Sequence, residues 1–177
     1  MIGRRAFGVF ATLVLAGVLA ACVTTRSSFP PPGSSPEPAG DSTAATVAQV
    51  IGALRIQSVP AVESTRPYRP AEGALLAAAP RSLVQATLPE DPDHGFIVVY
   101  AFDSPVAAQA AAQDGAGYLA AGIGGGIQNP PGTEYVLRVV GSNVVYFSWL
   151  PASSPDPRTA SIATALATLG TGVQVPG

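Results

Sequence analysis

Seven consecutive residues from Phe96 to Phe102, Phe-Ile-Val-Val-Tyr-Ala-Phe, carry no charge, and they constrain the fold more than any other stretch of the chain. They lie between a turn-rich segment, Pro89-Glu90-Asp91-Pro92-Asp93-His94-Gly95, and the helix-starting pair Ser104-Pro105. A run this short, rich in β-branched and aromatic residues and bounded by turn residues, predicts a strand. Side chains alternate across a strand, so Phe96, Val98, Tyr100 and Phe102 share one side and Ile97, Val99 and Ala101 the other. Both sides are apolar, and a sheet built on such a strand needs cover on both faces. The cover could come from the first helix with the proline-rich segment, from a second copy of the protein, or from a ligand.

The remaining elements follow from local pattern. Val47, Val50, Ile51 and Leu54 recur at helical spacing, which predicts a helix over about 44–57 with Ser42 or Thr43 as its cap and Pro60 beyond its end. Residues 59–80 contain four prolines and predict irregular chain with a short helical turn near 74–78. Ser82 to Leu88 pairs with the 96–102 run as a β-hairpin, and Ser104-Pro105 opens an alanine-rich helix to about Ala121. Ala108, Ala111, Ala112, Gly115, Tyr118 and Leu119 form its inward face. A second hairpin joins Glu134–Val140 to Val144–Leu150 through Gly141-Ser142-Asn143. Asp156-Pro157 caps a last helix whose stripe is Ile162, Ala165, Leu166 and Leu169, and Gly170 ends it. The expected fold is α+β: an N-terminal helix, then two β-β-α units forming an antiparallel sheet of about four strands, with helices on at least one face. The two units suggest a structural repeat by topology, though they share little residue identity.

Composition removes whole classes of chemistry. The chain has no lysine, one histidine (His94) and one cysteine (Cys22), so a Walker-type phosphate loop, a two-histidine zinc helix, a Ser-Lys hydrolase and a thiolate zinc site cannot be built. No intramolecular disulfide is possible, and the fold rests on its own core.

At the amino terminus Arg4 and Arg5 precede sixteen uncharged residues, Ala6 to Ala21, which is the order of a secretory signal and is shorter than a comfortable membrane span. The run ends in Leu19-Ala20-Ala21-Cys22, which resembles the lipobox of bacterial lipoproteins over about the first twenty-two residues. The resemblance implies a signal peptide at 1–21, cleavage before Cys22, and acyl chains on Cys22 as the mature terminus. Two or three such chains anchor a protein stably where one does not. It further implies a lipid-anchored location on the extracytoplasmic face of a cell membrane. Without residues 1–21 the chain keeps seven arginines against eleven carboxylates, a net charge of −4, which lacks the basic footprint of a nucleic-acid binder. Residues 22–41, rich in Pro, Ser and Thr, read as a disordered tether reaching about 60 Å if fully extended as polyproline helix, and 42–177 as one α+β domain.

Candidate sites are weighed against turn and core chemistry. Asp91, Asp93 and His94 are metal-donor types, but all three sit in one polar turn where Asp is expected anyway. His94 with Asp103 and a serine lacks a Gly-x-Ser-x-Gly elbow. Gly122-Ile123-Gly124-Gly125-Gly126 follows a helix rather than a strand, so it reads as a connection and not a phosphate cradle. Tyr100, Tyr135, Tyr146, Phe147 and Trp149 concentrate on three strands, with Phe147 and Trp149 on one face and Tyr146 and Ser148 on the other. Core packing explains most of them. The alternative is an aromatic platform for a glycan, lipid or apolar partner, with Tyr100 and Tyr146 on the less covered face. The expectation is a membrane-anchored, non-enzymatic binding or interaction module of the envelope. It needs no cofactor and no metal, and its partner is an envelope protein, a cell-wall component or an apolar ligand. An envelope hydrolase using His94 and a nearby carboxylate is the rival, and a self-associating structural module, a homo-oligomer, the third reading.

Overall fold

A computed structural model describes residues 40–122 and 130–176. The leader, Cys22 and the tether up to residue 39, together with the glycine-rich connection at 123–129, lie outside the described residues. Four helices, α1 (Gly40–Ile56), α2 (Ala74–Ala78), α3 (Pro105–Ala120) and α4 (Arg158–Ala167), pack on a sheet of six antiparallel strands. The strands are β1 (Ala61–Ser64), β2 (Arg81–Ala86), β3 (Phe96–Ala101), β4 (Glu134–Val140), β5 (Asn143–Trp149) and β6 (Thr171–Gly172), in the order β1-β2-β3-β5-β4-β6. The α+β expectation holds, and two short edge strands add to the four foreseen. Each edge strand is flanked by proline or glycine and carries too few apolar residues to announce itself.

All six residues of β3 are buried, and both sheet faces are covered from within the described chain. On one face Val84, Ile97, Val99, Val145 and Phe147 meet Val47, Val50 and Leu54 of α1 and Ile162, Ala165 and Leu166 of α4. On the other, Val98, Tyr100, Leu137, Val144 and Tyr146 meet Leu76 of α2 and Ala108, Ala111, Ala112, Ala116 and Leu119 of α3. The less covered face assumed for Tyr100 and Tyr146 is therefore absent. The small residues of α3 let it come close, and a Cβ added to Gly115 would lie 2.7 Å from Leu76 Cδ1. The helices of the two β-β-α units sit on opposite faces, so no rotation that superposes the antiparallel hairpins also superposes the helices. The repeat is one of order and not of structure.

Three local devices differ from the expected ones. α1 begins at Gly40, two residues inside the assigned tether, so Ser42 and Thr43 lie within the helix rather than at its cap. Their role is a peg: the Thr43 hydroxyl donates to Asn143 Oδ1 at 3.0 Å, while Asn143 Nδ2 donates to Thr46 Oγ1 at 3.1 Å and to the Ser42 carbonyl at 3.3 Å. Asn143, 1% exposed, thereby opens β5 as a buried polar residue instead of serving the turn. The turn itself is the two residues Gly141 and Ser142, with Gly141 at φ +58°. Finally, α1 is stopped before Pro60 by a Schellman motif: Val59 N–H donates to Leu54 O and Ser58 N–H to Arg55 O, with Ser58 at φ +57°.

Candidate functional site

The centre of the sheet splits at one end. β3 and β5 pair from Ala101↔Asn143 to Val98↔Tyr146 and no further, although β3 begins at Phe96 and β5 runs on to Trp149. Each strand stays with its outer neighbour there, β3 with β2 through Gln85↔Phe96 and β5 with β4 through Glu134↔Trp149. The direction of the unused backbone groups follows from the ladders. Phe102 N–H donates to Ser142 O at 3.0 Å and Ala86 N–H to Gly95 O at 3.0 Å, so even-numbered residues of β3 direct their backbone polar groups toward β5. Continued by two residues, this register turns the N–H and C=O of Phe96 and of Ser148 toward the gap.

A cleft of about 300 Å³ opens at this split. Its walls include Gly95, Ser148 and Trp149 from the strand ends, Tyr68 from the proline-rich segment, and Asp91 and His94 from the loop before β3. Thr159 of α4 also lines it. The rings pack along their own sides of the gap: Tyr68 stacks on Phe96 with centroids 4.6 Å apart, and Trp149 on Phe147 at 5.3 Å. Asp91 is buried and hydrogen-bonds through Oδ1 to His94 Nδ1, and His94, 73% exposed, is held by this contact at the rim. Asp156 fixes the opposite wall, its carboxylate accepting from Glu90 N–H at 3.2 Å and from Arg158 N–H at 2.9 Å, which ties the start of α4 to the same loop. Thr159 is 5% exposed and its hydroxyl has no hydrogen-bond partner among the described residues. No arginine lines the cleft. Set against protein-family models, curated proteins and solved structures, the chain matches none of them.

The residues that bear on the site fall into three groups, of which the first two were singled out from sequence. Asp91 and His94 meet, but Asp93 turns away to pair with Arg66 at 3.0 Å on the surface. Asp103 lies beyond the far end of β3 from His94, and the six residues of that strand alone span about 20 Å at ~3.3 Å per residue, so no triad forms with it. Among the described residues no group of three or more His, Cys, Asp or Glu side chains is placed to hold a metal.

Tyr100 and Tyr146 are the second group, at 0% and 1% exposure beneath α2 and α3. Burial pushes both hydroxyls far above the ordinary tyrosine range. For Tyr100 the neighbouring Glu72 carboxylate adds to the rise. Tyr100 donates to Glu72 Oε2, and the same carboxylate, 5% exposed, accepts from Arg69 Nε at 2.8 Å and Arg81 Nη1 at 3.0 Å. This network fastens the proline-rich segment to the sheet. The Tyr146 hydroxyl has no partner among the described residues.

The third group, Tyr68, Thr159 and Glu72, was not foreseen. Tyr68 lies among prolines, where no periodicity applies, and Thr159 looks like an ordinary first-turn helix residue. Burial raises the Tyr68 hydroxyl above its usual range, with Ser148 acting against it and Glu72 with it. Asp91, His94, Ser148 and Trp149, by contrast, were all marked in sequence, but for separate reasons; the split in the sheet is what brings them together.

Proposed function

We propose that the protein is a lipoprotein of the bacterial envelope, anchored through acyl chains on Cys22, whose α+β domain is a non-enzymatic binding module with its site in the cleft between β3 and β5. The observation that carries the anchor is the coincidence of the chain's only cysteine with the end of the apolar leader, after Leu19-Ala20-Ala21. The cleft supports the binding reading: it gathers aromatic rings, hydroxyls and one imidazole, and its one carboxylate, Asp91, is taken up by that imidazole. Because both sheet faces are filled by the chain's own helices, the binding surface moves from the sheet face to the end of the sheet.

Replacing Cys22 with Ser tests the anchor. The variant should leave the detergent-rich phase and appear in the aqueous phase on partitioning, and unchanged membrane association would reject it. The hydrolase reading keeps one specific support, the buried Asp91 orienting His94. Turnover of an envelope substrate that is abolished in His94→Ala with the fold intact would replace the binding reading.

A further inference from the structure

We propose that the cleft recognises a saccharide bearing an N-acyl amide, the chemistry of an acetylated amino sugar; this rests on the binding reading above and specifies its ligand. Three features converge. First, the strand ends of Phe96 and Ser148 turn unused backbone N–H and C=O groups to the gap, where β3 and β5 have stopped pairing. A secondary amide has one donor and one acceptor and can stand in for the missing rung of the ladder, as water or a lone hydroxyl does less completely. Second, Tyr68 and Trp149, each held by stacking on a phenylalanine, are flat amphipathic walls suited to the C–H face of a pyranose ring. Third, Thr159 brings a buried hydroxyl with no partner to the lining, and His94 stands at the rim. With no arginine in the lining and Asp91 facing His94, the cleft suits a neutral polar ligand over a phosphate or carboxylate.

Trp149 is the only tryptophan, so its emission reports on the cleft directly. The full-length chain in mild detergent is titrated with tri-N-acetylchitotriose, with cellotriose, which keeps the ring and hydroxyls but lacks the amide, and with trialanine, which has amides but no ring. The acetylated sugar should change Trp149 emission saturably and shift the Phe96 and Ser148 backbone amide resonances. Cellotriose and trialanine should each bind about tenfold more weakly or less, since a site built to hydrogen-bond a group rejects analogues without it. His94→Ala removes the partner of the buried Asp91 carboxylate, so its fold is first checked by circular dichroism and urea midpoint; with the fold intact it should weaken the acetylated sugar about tenfold. Equal affinity for cellotriose overturns the amide assignment, and tighter binding of trialanine overturns the saccharide. Failure of all three to perturb Trp149 or those amides overturns the proposal as a whole, while leaving the Cys22 partitioning result to decide the anchored-module reading on its own.

Discussion

Gly170 is the position where one methyl group does the most damage. It follows α4 at φ +41°, and a Cβ placed there would overlap the carbonyl oxygen of Val139 and lie 2.9 Å from its carbon and 3.0 Å from Val140 Cγ2. The obstacle is sheet backbone, so it cannot rotate aside. Gly170→Ala therefore carries about 1–2 kcal/mol for a left-handed L-residue before any clash is counted. To relieve the overlap the chain must lift off β4. That breaks the charge-assisted bonds from Arg138 to Leu169 O at 2.6 Å and Gly170 O at 2.8 Å, along with the bond from Val173 N–H to Leu137 O at 2.9 Å. At about 1.5–3 kcal/mol for a bond to a charged group, and allowing one to re-form with water, the total loss is about 3–5 kcal/mol. Urea unfolding followed by Trp149 emission measures it, as a lower midpoint at unchanged slope. Gly117→Ala is the matched control: Gly117 lies in α3 with nothing within 4 Å of an added Cβ, and the change should stabilise by about 0.8–1 kcal/mol through helix propensity alone. A loss below about 1 kcal/mol at Gly170 would show that the α4–β6 connection yields freely, and the reasoning would fail.

Other substitutions give opposite signs from similar chemistry. Ser58→Gly relieves a left-handed serine in the Schellman turn and should raise the unfolding midpoint by about 0.5–1 kcal/mol equivalent; a loss on thermal melting would contradict the assigned turn. Tyr146→Phe deletes a buried hydroxyl without a partner and should be neutral or stabilising, whereas Tyr100→Phe strips a donor from the buried Glu72 carboxylate and should cost about 1.5–3 kcal/mol. Equal effects in urea titrations of the two variants would refute the distinction. Both tyrosines are raised above 10 in the folded state, so their neutral forms are favoured there, and this contribution is complete below pH 10. Stability should fall as pH rises past 10, where the unfolded chain begins to release these protons first, with a slope approaching about 1.4 kcal/mol per pH unit per tyrosine. Absorbance titration of the native protein showing all five tyrosines ionising together near pH 10 would rule this out.

The elements that were legible in sequence are those whose periodicity is set by burial. β3, α3, β4, β5 and α4 appear within a few residues of their expected ends, because an apolar run or stripe can be satisfied only one way. α2 was also placed correctly, from its alanines and leucines between prolines. What stayed hidden depended on partners distant in the chain. Asn143 looked like a turn residue because nothing local says that Thr43 and Thr46 will meet it. β1 and β6 are strands only because an existing edge accepts them. The cover of the second sheet face was left open among three sources because α3, which supplies it, had been assigned only to an unspecified face. The cleft was invisible for a related reason: Asp91, His94 and Trp149 were noticed and Tyr68 and Thr159 were not, and the end of a ladder is a property of two strands and not of either sequence.

The parting of the hairpins also bears on how the chain assembles. β2–β3 and β4–β5 each close over a short connection and can zip up independently, whereas the four rungs between β3 and β5 join segments on either side of α3. This seam is the costly non-local event, and α1 clamps it from one side by reaching both β3 and β5 and pegging to Asn143. Hydrogen exchange should therefore find the slow-closing line of the molecule along its middle, with the amides of Val98 and Tyr146 opening before those shared within either hairpin.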